Sequence, residues 1–491
     1  MVKDIGRSAA SHNAPAAANS GRIRFLGAKF WLLTSDSCFP MRNEVLIIGG
    51  GFSGLAAGVA LSEAGCGVRL LEQKPHLGGR ARSFLDPTTG SMVDNGQHIF
   101  MGCYHVTIRF LSTIGTLDRL RFQKHLNVHF LERGGRLTVL RSPALPSPWH
   151  LLLGVLRSGS FTFKEKLEVL RLGGSLRRQK VSGHSSERLT VRDWLTKLGQ
   201  SEGLQRNFWD LLCIAALNED PSVASAALFE RVLQLALFTS SEDSRIGIAG
   251  VGLSEVYADA ATAYIQSRGG RVECGRGVAC LLVAEGQCRG VRLSTGEQIE
   301  AESVVSAVPS FALAALLPGE LLRQEPFFAP VVVLRAAPII SINLWFDRAI
   351  TDLDFVGLRG GTVQWLFNKG KILGSGENYV SLVLSGAHRH ITRSKEELLD
   401  MALLELGDFF PEARKATLVH SLLIKERFAT FSPTWEAEGL RPAARTPVRG
   451  LYLAGDWTAT GLPATIEGAV QSGYNAARAI QDDKRNWPTT P

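Results

Sequence analysis

The clearest hydrophobic pattern lies between residues 45 and 72. The apolar run Val45–Ile48 predicts a buried strand, and a glycine-rich turn follows it. The apolar stretch Leu55–Ala64, closed by Gly65, predicts a helix, and Val68–Glu72 predicts a second strand. These elements indicate a strand–helix–strand unit.

Further along the chain the pattern changes several times. Residues 106–239 predict mainly helices, and residues 250–310 predict a helix with short strands that end at Val304–Pro309. A helix is predicted near Lys395–Leu406, and a last small apolar strand at Leu451–Ala454. Three further segments predict strands of a separate sheet: Ser341–Phe346, Thr362–Phe367 and Tyr379–Leu384.

This order of elements predicts an α/β fold with two domains. A discontinuous Rossmann-type nucleotide-binding domain would combine residues 41–105, 240–310 and 446–482. A mixed α+β substrate-binding domain, residues 106–239 and 311–445, would be inserted between these pieces, and residues 483–491 would form a tail.

Composition and charge narrow the possible classes of protein. The chain has 491 residues, of which 45% are hydrophobic and 20% charged, so we expect a folded protein of more than one domain. The net charge is +8, but no nucleic-acid-binding motif or dense basic run accompanies it, and we expect no nucleic-acid partner. Seven cysteines without metal-site spacing indicate neither a disulfide scaffold nor a metal site, and favour the cytoplasm.

Two predictions concern membranes and the start of the chain. No apolar stretch reaches the 18 or more residues of a membrane-spanning helix. Residues 1–40 are rich in Ala, Ser and Asn and lack a clear cleavage site for a signal peptide. We expect them to be a disordered extension, or to precede a natural start at Met41.

A glycine motif follows the first predicted strand. In Gly49-x-Gly51-x-x-Gly54 the glycines permit a tight turn, close approach to a pyrophosphate and close helix packing. The helix that starts near Ser53 would point its free amides at the phosphates. Glu72 ends the second strand 23 residues after Gly49, where a carboxylate can accept both hydroxyls of an adenosine ribose. Glycines that serve only a turn are the alternative interpretation.

A second glycine pair and an arginine follow the ribose-binding carboxylate. Gly78-Gly79-Arg80 offers backbone approach and a guanidinium to the other face of the same pyrophosphate. This arrangement favours an FAD-binding oxidoreductase over a plain NAD dehydrogenase, since no second glycine motif is present for a nicotinamide. The alternative is an ordinary glycine turn with a solvated arginine.

Residues near the other end of the chain complete the predicted FAD site. Asp456 follows the last strand and could bind hydroxyls near the phosphates, and a small-residue helix starts at Ile466. Its N-terminus could stabilise negative charge on a reduced flavin. The remaining candidate cofactor-binding residues are Phe52, Gly96, Gln97, Val278, Gly455, Glu467, Gly468 and Ala469.

These motifs together resemble the FAD-dependent amine oxidase and phytoene desaturase superfamily. The resemblance covers most of residues 41–482, and it implies a bound FAD whose flavin faces the interface between two domains. An aromatic residue usually precedes the Glu-Gly pair in amine oxidases, but this chain has Thr460–Thr465 there. An amine substrate is therefore not expected.

Three segments are similar to the squalene-associated desaturase-like family, the hydroxysqualene dehydroxylases. They are Asp94–Tyr104, Phe208–Asn218 and Ala454–Gly468. The resemblance implies an isoprenoid lipid substrate and reductive removal of a hydroxyl group, in squalene and hopanoid biosynthesis. A carotenoid or phytoene-type desaturase is the first alternative, and a non-catalytic flavin- and lipid-binding protein is the second.

Removal of an allylic hydroxyl needs an acid that helps water to leave. His98 is the first candidate because its ordinary pKa is near neutrality, and a buried structural histidine is the alternative. Asp94, Tyr104 and Asn218 are further catalytic candidates. The sequence does not identify the external electron donor.

A lipid substrate also requires access from a membrane. Pro146–Arg157 is apolar with a tryptophan, and several cations follow it: Lys164, Lys166, Arg171, Arg177, Arg178 and Lys180. This pattern predicts peripheral contact with the inner face of the cytoplasmic membrane. A helix packed inside the substrate domain with a solvated basic face is the alternative.

Overall fold

The computed structural model describes residues 44–179 and 188–486. The predicted N-terminal extension, a possible start at Met41 and the cation Lys180 lie outside the described residues, as does the side chain of Arg178. Strands and helices are numbered here in chain order.

A five-stranded parallel sheet brings together segments that are far apart in the sequence. Its strand order is β10-β2-β1-β14-β20, and every pairing is parallel. Its strands are β1 (Glu44–Ile48), β2 (Gly67–Glu72), β10 (Arg271–Cys274), β14 (Ser303–Ser306) and β20 (Leu451–Leu453). The predicted strands near residues 45, 68, 304 and 451 are confirmed, whereas the domain boundaries stay a prediction.

Helices pack on this sheet through small residues. The helices around it are α1 (Phe52–Glu63), α2 (His105–Thr113), α9 (Leu253–Gln266) and α16 (Ile466–Asn486). All side chains of α1 from Phe52 to Ser62 are buried, so this helix lies between other elements. Gly473 lets α16 cross α1 closely, since a Cβ there would lie 2.3 Å from the carbonyl oxygen of Ser53.

A seven-stranded mixed sheet forms the second layer. Its order is β19-β15-β18-β17-β16-β7-β8, with one parallel pairing, between β16 and β7. Its strands are β7 (Asn127–Leu131), β8 (Leu137–Arg141), β15 (Ala336–Phe346), β16 (Phe355–Leu358), β17 (Trp365–Asn368), β18 (Tyr379–Leu384) and β19 (Leu418–Phe431). The three strands predicted for a separate sheet are all present in it.

The hairpin β7–β8 corrects the helical prediction for residues 106–239. Its turn contains Gly134 and Gly135, both at positive φ, which suits a tight connection between antiparallel strands. Strands of only five residues carry a weak periodic signal, and the helices that follow them along the chain dominate the pattern.

The remaining helices pack on both sheets: those between residues 149 and 233 pack on the seven-stranded sheet, and those between residues 310 and 333 pack beside the parallel sheet. A π-helical turn at Gln205–Trp209 interrupts the helix of residues 202–217. A second π-helical turn, at Gln234–Phe238, ends the helix that begins at Ala226. The helices are α3 (Trp149–Arg157), α4 (Phe163–Gln179), α5 (Val191–Lys197), α6 (Glu202–Leu204), α7 (Asp210–Leu217), α8 (Ala226–Leu233), α10 (Ser310–Leu316), α11 (Gly319–Gln324), α12 (Ala329–Val333), α13 (Lys369–Leu373), α14 (Lys395–Phe409) and α15 (Trp435–Leu440).

Three small sheets complete the fold. One joins β5 (Phe100–Met101), β9 (Ile246–Ala249) and β6 (Leu120–Phe122), and so connects the segment after Asp94 to the layer of the parallel sheet. The other strands are β3 (Ser83–Leu85) with β4 (Met92–Asp94), and β11 (Val278–Ala284) with β12 (Gln287–Leu293) and β13 (Gln298–Glu300). Within the described ranges, no helix has the length and hydrophobicity needed to cross a membrane.

Candidate active site

The turn between β1 and α1 uses its three motif glycines in different ways. Gly49 has φ +106, and a Cβ there would lie 2.9 Å from the carbonyl oxygen of Ala307. A Cβ on Gly54 would lie 1.9 Å from the carbonyl oxygen of Gly49, so the helix could not approach the strand. At Gly51 no described atom lies within 4 Å of the Cβ position. Gly51 therefore borders open space that a ligand can fill.

Glu72 lies at the end of β2, beside this turn. Its Oε2 accepts a hydrogen bond from the amide of Gly50 at 2.8 Å, and its Oε1 accepts one from the amide of Lys74 at 2.9 Å. The side chain is 7% exposed and lines the cavity. Each carboxylate oxygen has a further acceptor site, so this fixed carboxylate can still accept hydrogen bonds from ligand hydroxyls.

The second glycine pair packs directly against the first turn. The Gly78 amide donates to the carbonyl oxygen of Gly50 at 2.9 Å, and a Cβ on Gly79 would lie 3.4 Å from Cα of Gly51. Tyr257 supports this pair, because its hydroxyl donates to the carbonyl oxygen of Gly78 at 2.7 Å. The two turns thus form one cradle, and Tyr257 is a supporting residue that the sequence analysis did not identify.

Arg80 connects three parts of the chain at the cradle. Its Nη2 donates to Oδ1 of Asp456 at 2.8 Å, and its Nη1 donates to the carbonyl oxygen of Ala429 at 2.8 Å. Arg80 and Asp456 both line the cavity. The predicted N-terminal and C-terminal motifs therefore meet in one ion pair, although 376 residues separate these two side chains.

Most of the predicted cofactor-binding residues line the same cavity, and Gly54, Gly455 and Gly468 do not. Those that do are Gly49, Gly51, Phe52, Ser53, Glu72, Gly79, Arg80, Gly96, Gln97, Val278, Asp456, Glu467 and Ala469. The other three are needed for packing. A Cβ on Gly455 would meet the Trp457 indole at 2.5 Å, and one on Gly468 would meet the Pro463 carbonyl oxygen at 2.7 Å.

The carboxylate of Glu467 caps a helix instead of facing the cofactor site. Its Oε1 accepts from the amide of Val106 and its Oε2 from that of Thr107, both at 2.9 Å. The Thr107 hydroxyl also donates to Oε2, at 2.7 Å. These groups belong to the first turn of α2, which orphan amides and the helix dipole make a favourable place for an anion.

Asp94, one of the catalytic candidates, is held in a buried ion pair. Its Oδ2 accepts from the Nζ atom of Lys369 at 2.7 Å, and its Oδ1 accepts from Ser83 and from the amide of Leu253. The side chains of Asp94 and Lys369 are 4% and 2% exposed, and Asp94 lies outside the cavity lining. A buried ion pair of this kind holds the segment that follows Asp94, and it occupies the carboxylate with protein partners.

His98 lies in the segment that this ion pair holds, and it lines the cavity. Its Nδ1 lies 2.9 Å from the carbonyl oxygen of Gly96. A carbonyl can only accept, so Nδ1 carries a proton and Nε2 of the neutral ring carries the lone pair. Burial lowers the pKa of His98 below its ordinary value, and the bond to Gly96 opposes this only in part. The ring is therefore mainly neutral at pH 7.

The two other catalytic candidates also line the cavity. The Tyr104 hydroxyl is paired with Thr465, and burial raises the pKa of Tyr104, so this residue stays a neutral phenol. Asn218 ends α7 with its backbone amide bonded to the carbonyl oxygen of Ile214, and its side chain uses its whole amide on other partners: Nδ2 donates to Ala337 and Thr430, and Oδ1 accepts from Gly386. Asn218 thus has no amide hydrogen left for a ligand, which does not fit a catalytic role.

One cavity of about 890 Å³ joins the glycine cradle to an apolar chamber. The chamber is lined by leucine, valine and aromatic side chains from α3, α4, α7, α8 and the seven-stranded sheet. The π-helical turns contribute Phe208 and Trp209, and π turns of this kind are frequent at functional sites. Aromatic residues that line the chamber include Phe130, Trp149, Phe208, Trp209, Phe229, Phe238, Trp365 and Phe367.

Several cavity residues carry no motif that the sequence analysis could use. Glu426, Phe428 and Thr430 line the cavity from the end of the long strand β19. The pattern of this segment is strand-like, but neither its length nor its partners are visible in one sequence. The Gly78-Gly79-Arg80 motif could have suggested that Arg80 needs a carbonyl acceptor. It could not have indicated that this acceptor is Ala429.

The residues present fit an FAD molecule. The open space beside Gly51 lies between two hydrogen-bonded glycine turns, where a pyrophosphate can approach the backbone. Helix α1 starts there with no acidic residue and no side-chain cap in its first turn, so its amides are available to an anion. Glu72 offers acceptors to ribose hydroxyls at one end, and the chamber begins at the other.

Comparison with known proteins agrees with this geometry. Residues 52–481 match the family model of the flavin-containing amine oxidoreductases. A hydroxysqualene dehydroxylase from Rhodopseudomonas palustris is 32% identical over 448 residues, which cover 90% of this chain and 99% of that protein. A 15-cis-phytoene desaturase from Solanum lycopersicum is 27% identical, with 98% of this chain and 86% of that protein covered.

A solved structure supports the fold. The crystal structure of an oxidoreductase from Methanosarcina mazei matches with a TM-score of 0.69 and 18% identity, and covers 89% of this chain and 100% of that one. At this identity the likeness is evidence for the architecture alone. The predicted α/β fold is thereby confirmed.

Proposed function

The chain belongs to the flavin-containing amine oxidoreductase family, and from that membership we propose that it removes the hydroxyl group of hydroxysqualene reductively to give squalene. It is an FAD-dependent oxidoreductase. The observation that carries the proposal is the single cavity in which the glycine cradle opens into an apolar chamber. The similarity to a hydroxysqualene dehydroxylase over almost its whole length supports this substrate.

The reaction replaces a hydroxyl group by hydrogen. The C–O bond breaks, the hydroxyl leaves as water after it takes up one proton, and a hydride forms the new C–H bond. Reduced FAD, when bound, supplies that hydride. The residues that would hold the cofactor are those of the two glycine turns together with Glu72, Arg80 and Asp456.

The chamber suits an allylic carbon that becomes electron-poor as the C–O bond breaks. Ring faces carry negative charge density and attract a cation within about 6 Å. Phe208 is fixed by edge contacts with Phe130 and Phe161 at centroid distances of 6.0 and 4.9 Å. Rings held in this way keep their faces in place during the reaction and exclude water that would add back to the carbon.

His98 is the proposed source of the proton. Its Nε2 is the ring nitrogen not bonded to Gly96, and the residue lines the cavity. When Nε2 is protonated, the ring can donate to the leaving hydroxyl while Nδ1 keeps its bond to the carbonyl of Gly96. The low pKa makes the protonated ring a stronger acid.

Product analysis tests the proposal. The FAD-loaded protein is chemically reduced without oxygen, incubated with hydroxysqualene, and the extract is analysed by mass spectrometry. We expect squalene together with reoxidised flavin in equal amounts. Reduced enzyme that leaves hydroxysqualene intact would contradict the proposal.

A phytoene-type desaturase is the second candidate, favoured by the similarity to phytoene desaturases over 98% of the chain. Such an enzyme transfers hydride in the opposite direction, from the lipid to oxidised FAD. Incubation of the oxidised enzyme with phytoene, with an electron acceptor present, would then yield products with additional double bonds. We expect no such products.

Membrane contact at the mouth of the chamber forms part of the proposal. Helices α3 and α4 line the cavity, and they expose Trp149, Leu156, Phe163 and Leu167 by 41% to 78%; of these four residues, Trp149 also lines the cavity. Exposed cations on the same helices, among them Lys164 and Arg171, complement an anionic lipid surface. We infer that a lipid substrate enters here from the inner face of the cytoplasmic membrane.

Sedimentation with anionic liposomes tests this contact. We expect the double change Trp149→Ser and Phe163→Ser to remove most of the bound fraction, because it deletes exposed apolar area at the mouth. Leu404→Ser is the matched control, since Leu404 is 72% exposed on α14 but does not line the cavity. Unchanged sedimentation of the double variant would favour a merely solvated basic face.

A further inference from the structure

Three polar side chains interrupt the apolar wall of the chamber. Asn218, Ser385 and Thr430 line the cavity together with apolar residues of the seven-stranded sheet, such as Phe367 and Val383. Polar groups placed singly in an apolar pocket usually fix the orientation of a ligand. Their hydrogen bonds therefore indicate which of them can reach a substrate.

The bonds of Asn218 determine the direction of its contact with Thr430. The amide of Gly386 donates to Oδ1 of Asn218 at 2.7 Å, and since a backbone N–H can only donate, this end of the side chain is the oxygen. Nδ2 then donates to the carbonyl oxygen of Ala337 at 3.2 Å and to Oγ1 of Thr430 at 2.8 Å. The Thr430 hydroxyl is consequently the acceptor in this contact.

The hydroxyl of Thr430 keeps its proton for another partner. A threonine hydroxyl has one donor and two acceptor sites, and Asn218 occupies an acceptor site. The proton must point away from Asn218, and the residue borders the cavity. Thr430 can thus donate into the space that a ligand fills.

Thr430 also lies next to the cofactor cradle. The preceding residue, Ala429, accepts a hydrogen bond from Nη1 of Arg80 at 2.8 Å, and Arg80 pairs with Asp456. Asn218, on the other side, ends helix α7 of the chamber wall. Thr430 therefore lies between the cofactor cradle and the chamber wall.

We propose that Thr430 donates a hydrogen bond to the hydroxyl oxygen of the alcohol substrate, and that Asn218 is the positioning residue that aims it. The inference rests on the proposed function, because only an alcohol substrate offers this acceptor. Thr430 keeps its proton throughout and orients the C–O bond, while the proton for water comes from another group. The hydrocarbon product lacks the acceptor, so it loses this contact and is bound less tightly than the alcohol.

Ligand binding to the oxidised holoenzyme tests the inference without turnover. The full-length, FAD-loaded protein is titrated with detergent-dispersed hydroxysqualene or squalene, and the change in flavin absorption gives each Kd. We expect Thr430→Val to weaken hydroxysqualene binding roughly 3- to 10-fold, the loss of one neutral hydrogen bond, and to leave squalene binding unchanged. Thr430→Ser retains the hydroxyl and should bind both lipids as the wild type does.

The variant Asn218→Gly tests whether Asn218 positions the hydroxyl of Thr430. Asn218 has φ +54, which glycine adopts without strain, so this variant removes the amide and keeps the backbone. We expect Asn218→Gly to weaken hydroxysqualene binding as Thr430→Val does, and to leave squalene binding and flavin content unchanged. Thr430→Ala replaces Thr430→Val if the valine variant fails to retain its flavin.

Two results would overturn the inference: an unchanged Kd for the alcohol in the Thr430 variants, or an equal loss of alcohol and hydrocarbon binding. The turnover assay of the wild type with reduced FAD separates the two proposals. If the wild type turns over hydroxysqualene but Thr430→Val binds it with an unchanged Kd, only the role of Thr430 is rejected. Absence of wild-type turnover rejects the proposed function, and the role of Thr430 falls with it.

Discussion

The two ends of the cavity are built on different principles. At the cradle, backbone groups meet backbone groups and charged side chains: the amide of Gly50 bonds to Glu72, and the amide of Gly78 bonds to the carbonyl of Gly50. In the chamber, rings and aliphatic side chains pack on one another, as Phe208 does on Phe161. The cradle therefore depends on glycines, which leave room for the backbone to approach a ligand. The chamber depends on the shapes of its apolar side chains.

This difference predicts how each end responds to substitution. One added side chain at the cradle occupies the space of the pyrophosphate, so the cofactor is lost as a whole. A changed side chain in the chamber alters the volume and polarity around the lipid, while the cradle stays intact. Flavin content and lipid turnover should thus respond separately to mutation.

The largest effect is expected at Gly51. Gly51→Val places a branched side chain in the open space between the two glycine turns, where the backbone must approach the phosphates. We expect a protein that folds but purifies without bound flavin, as measured by absorbance at visible wavelengths. Val232→Ala is the control at the chamber, because Val232 also lines the cavity and its truncation should leave the flavin bound.

The next effect concerns catalysis without loss of cofactor. His98→Phe removes the proposed acid from the wall of the cavity, and a general acid typically contributes about 100- to 10,000-fold to a rate. We expect kcat for squalene formation to fall by a factor in this range while the flavin spectrum is unchanged. A variant with wild-type kcat would remove His98 from the mechanism.

The pH dependence sharpens the same prediction. Burial lowers the pKa of His98 below its ordinary value of 6.5, so the protonated ring is the minor form at pH 7 and increases as the pH falls. The rate should therefore rise on acidification and drop roughly tenfold per pH unit well above that pKa. This limb of the pH profile should be absent in His98→Phe.

The last prediction concerns stability with the flavin retained, and it lies at Phe208. This ring lines both the main cavity and a second, more polar cavity of about 330 Å³ that contains Glu132, Arg136 and Arg359. Phe208→Ala would join the two cavities and leave unfilled volume. We expect the free energy of unfolding to fall by about 3–5 kcal/mol in urea titrations, with the flavin still bound.

Phe208→Leu is the matched control for this change. A leucine keeps most of the partition between the two cavities, so its cost should be clearly smaller than that of alanine. Equal unfolding free energies for the two variants would show that Phe208 does not separate the cavities.

The predictable parts of this protein are those with local causes. The strand, turn and helix from Glu44 to Glu63 follow from an apolar run, a glycine spacing and a second apolar run, all visible within 30 residues. The hairpin β7–β8 was not predicted, because its two strands of five residues are stabilised by a parallel partner, β16, more than 200 residues away. Such pairing leaves no periodic signal in the local sequence.

The site shows the same division. Glu72 and the motif glycines were identified from their spacing, since each has a stated geometric requirement. The sequence could not show that the catalytic candidate Asp94 is held in an ion pair, because its partner, Lys369, is distant in the sequence and carries no motif. Thr430 was missed because a single threonine in a strand is inconspicuous until its partner Asn218 is known.

The sequence by itself determined the type of cofactor, the sheet that binds it and the family to which the chain belongs, because backbone conformations and short spacings encode these. The tertiary structure decided which carboxylates are used in ion pairs and helix caps, which polar side chains line the cavity, and which apolar side chains on α3 and α4 stay exposed. Those properties depend on contacts between residues hundreds of positions apart, and the balance of burial and hydrogen bonding at each contact exists only once the chain is folded.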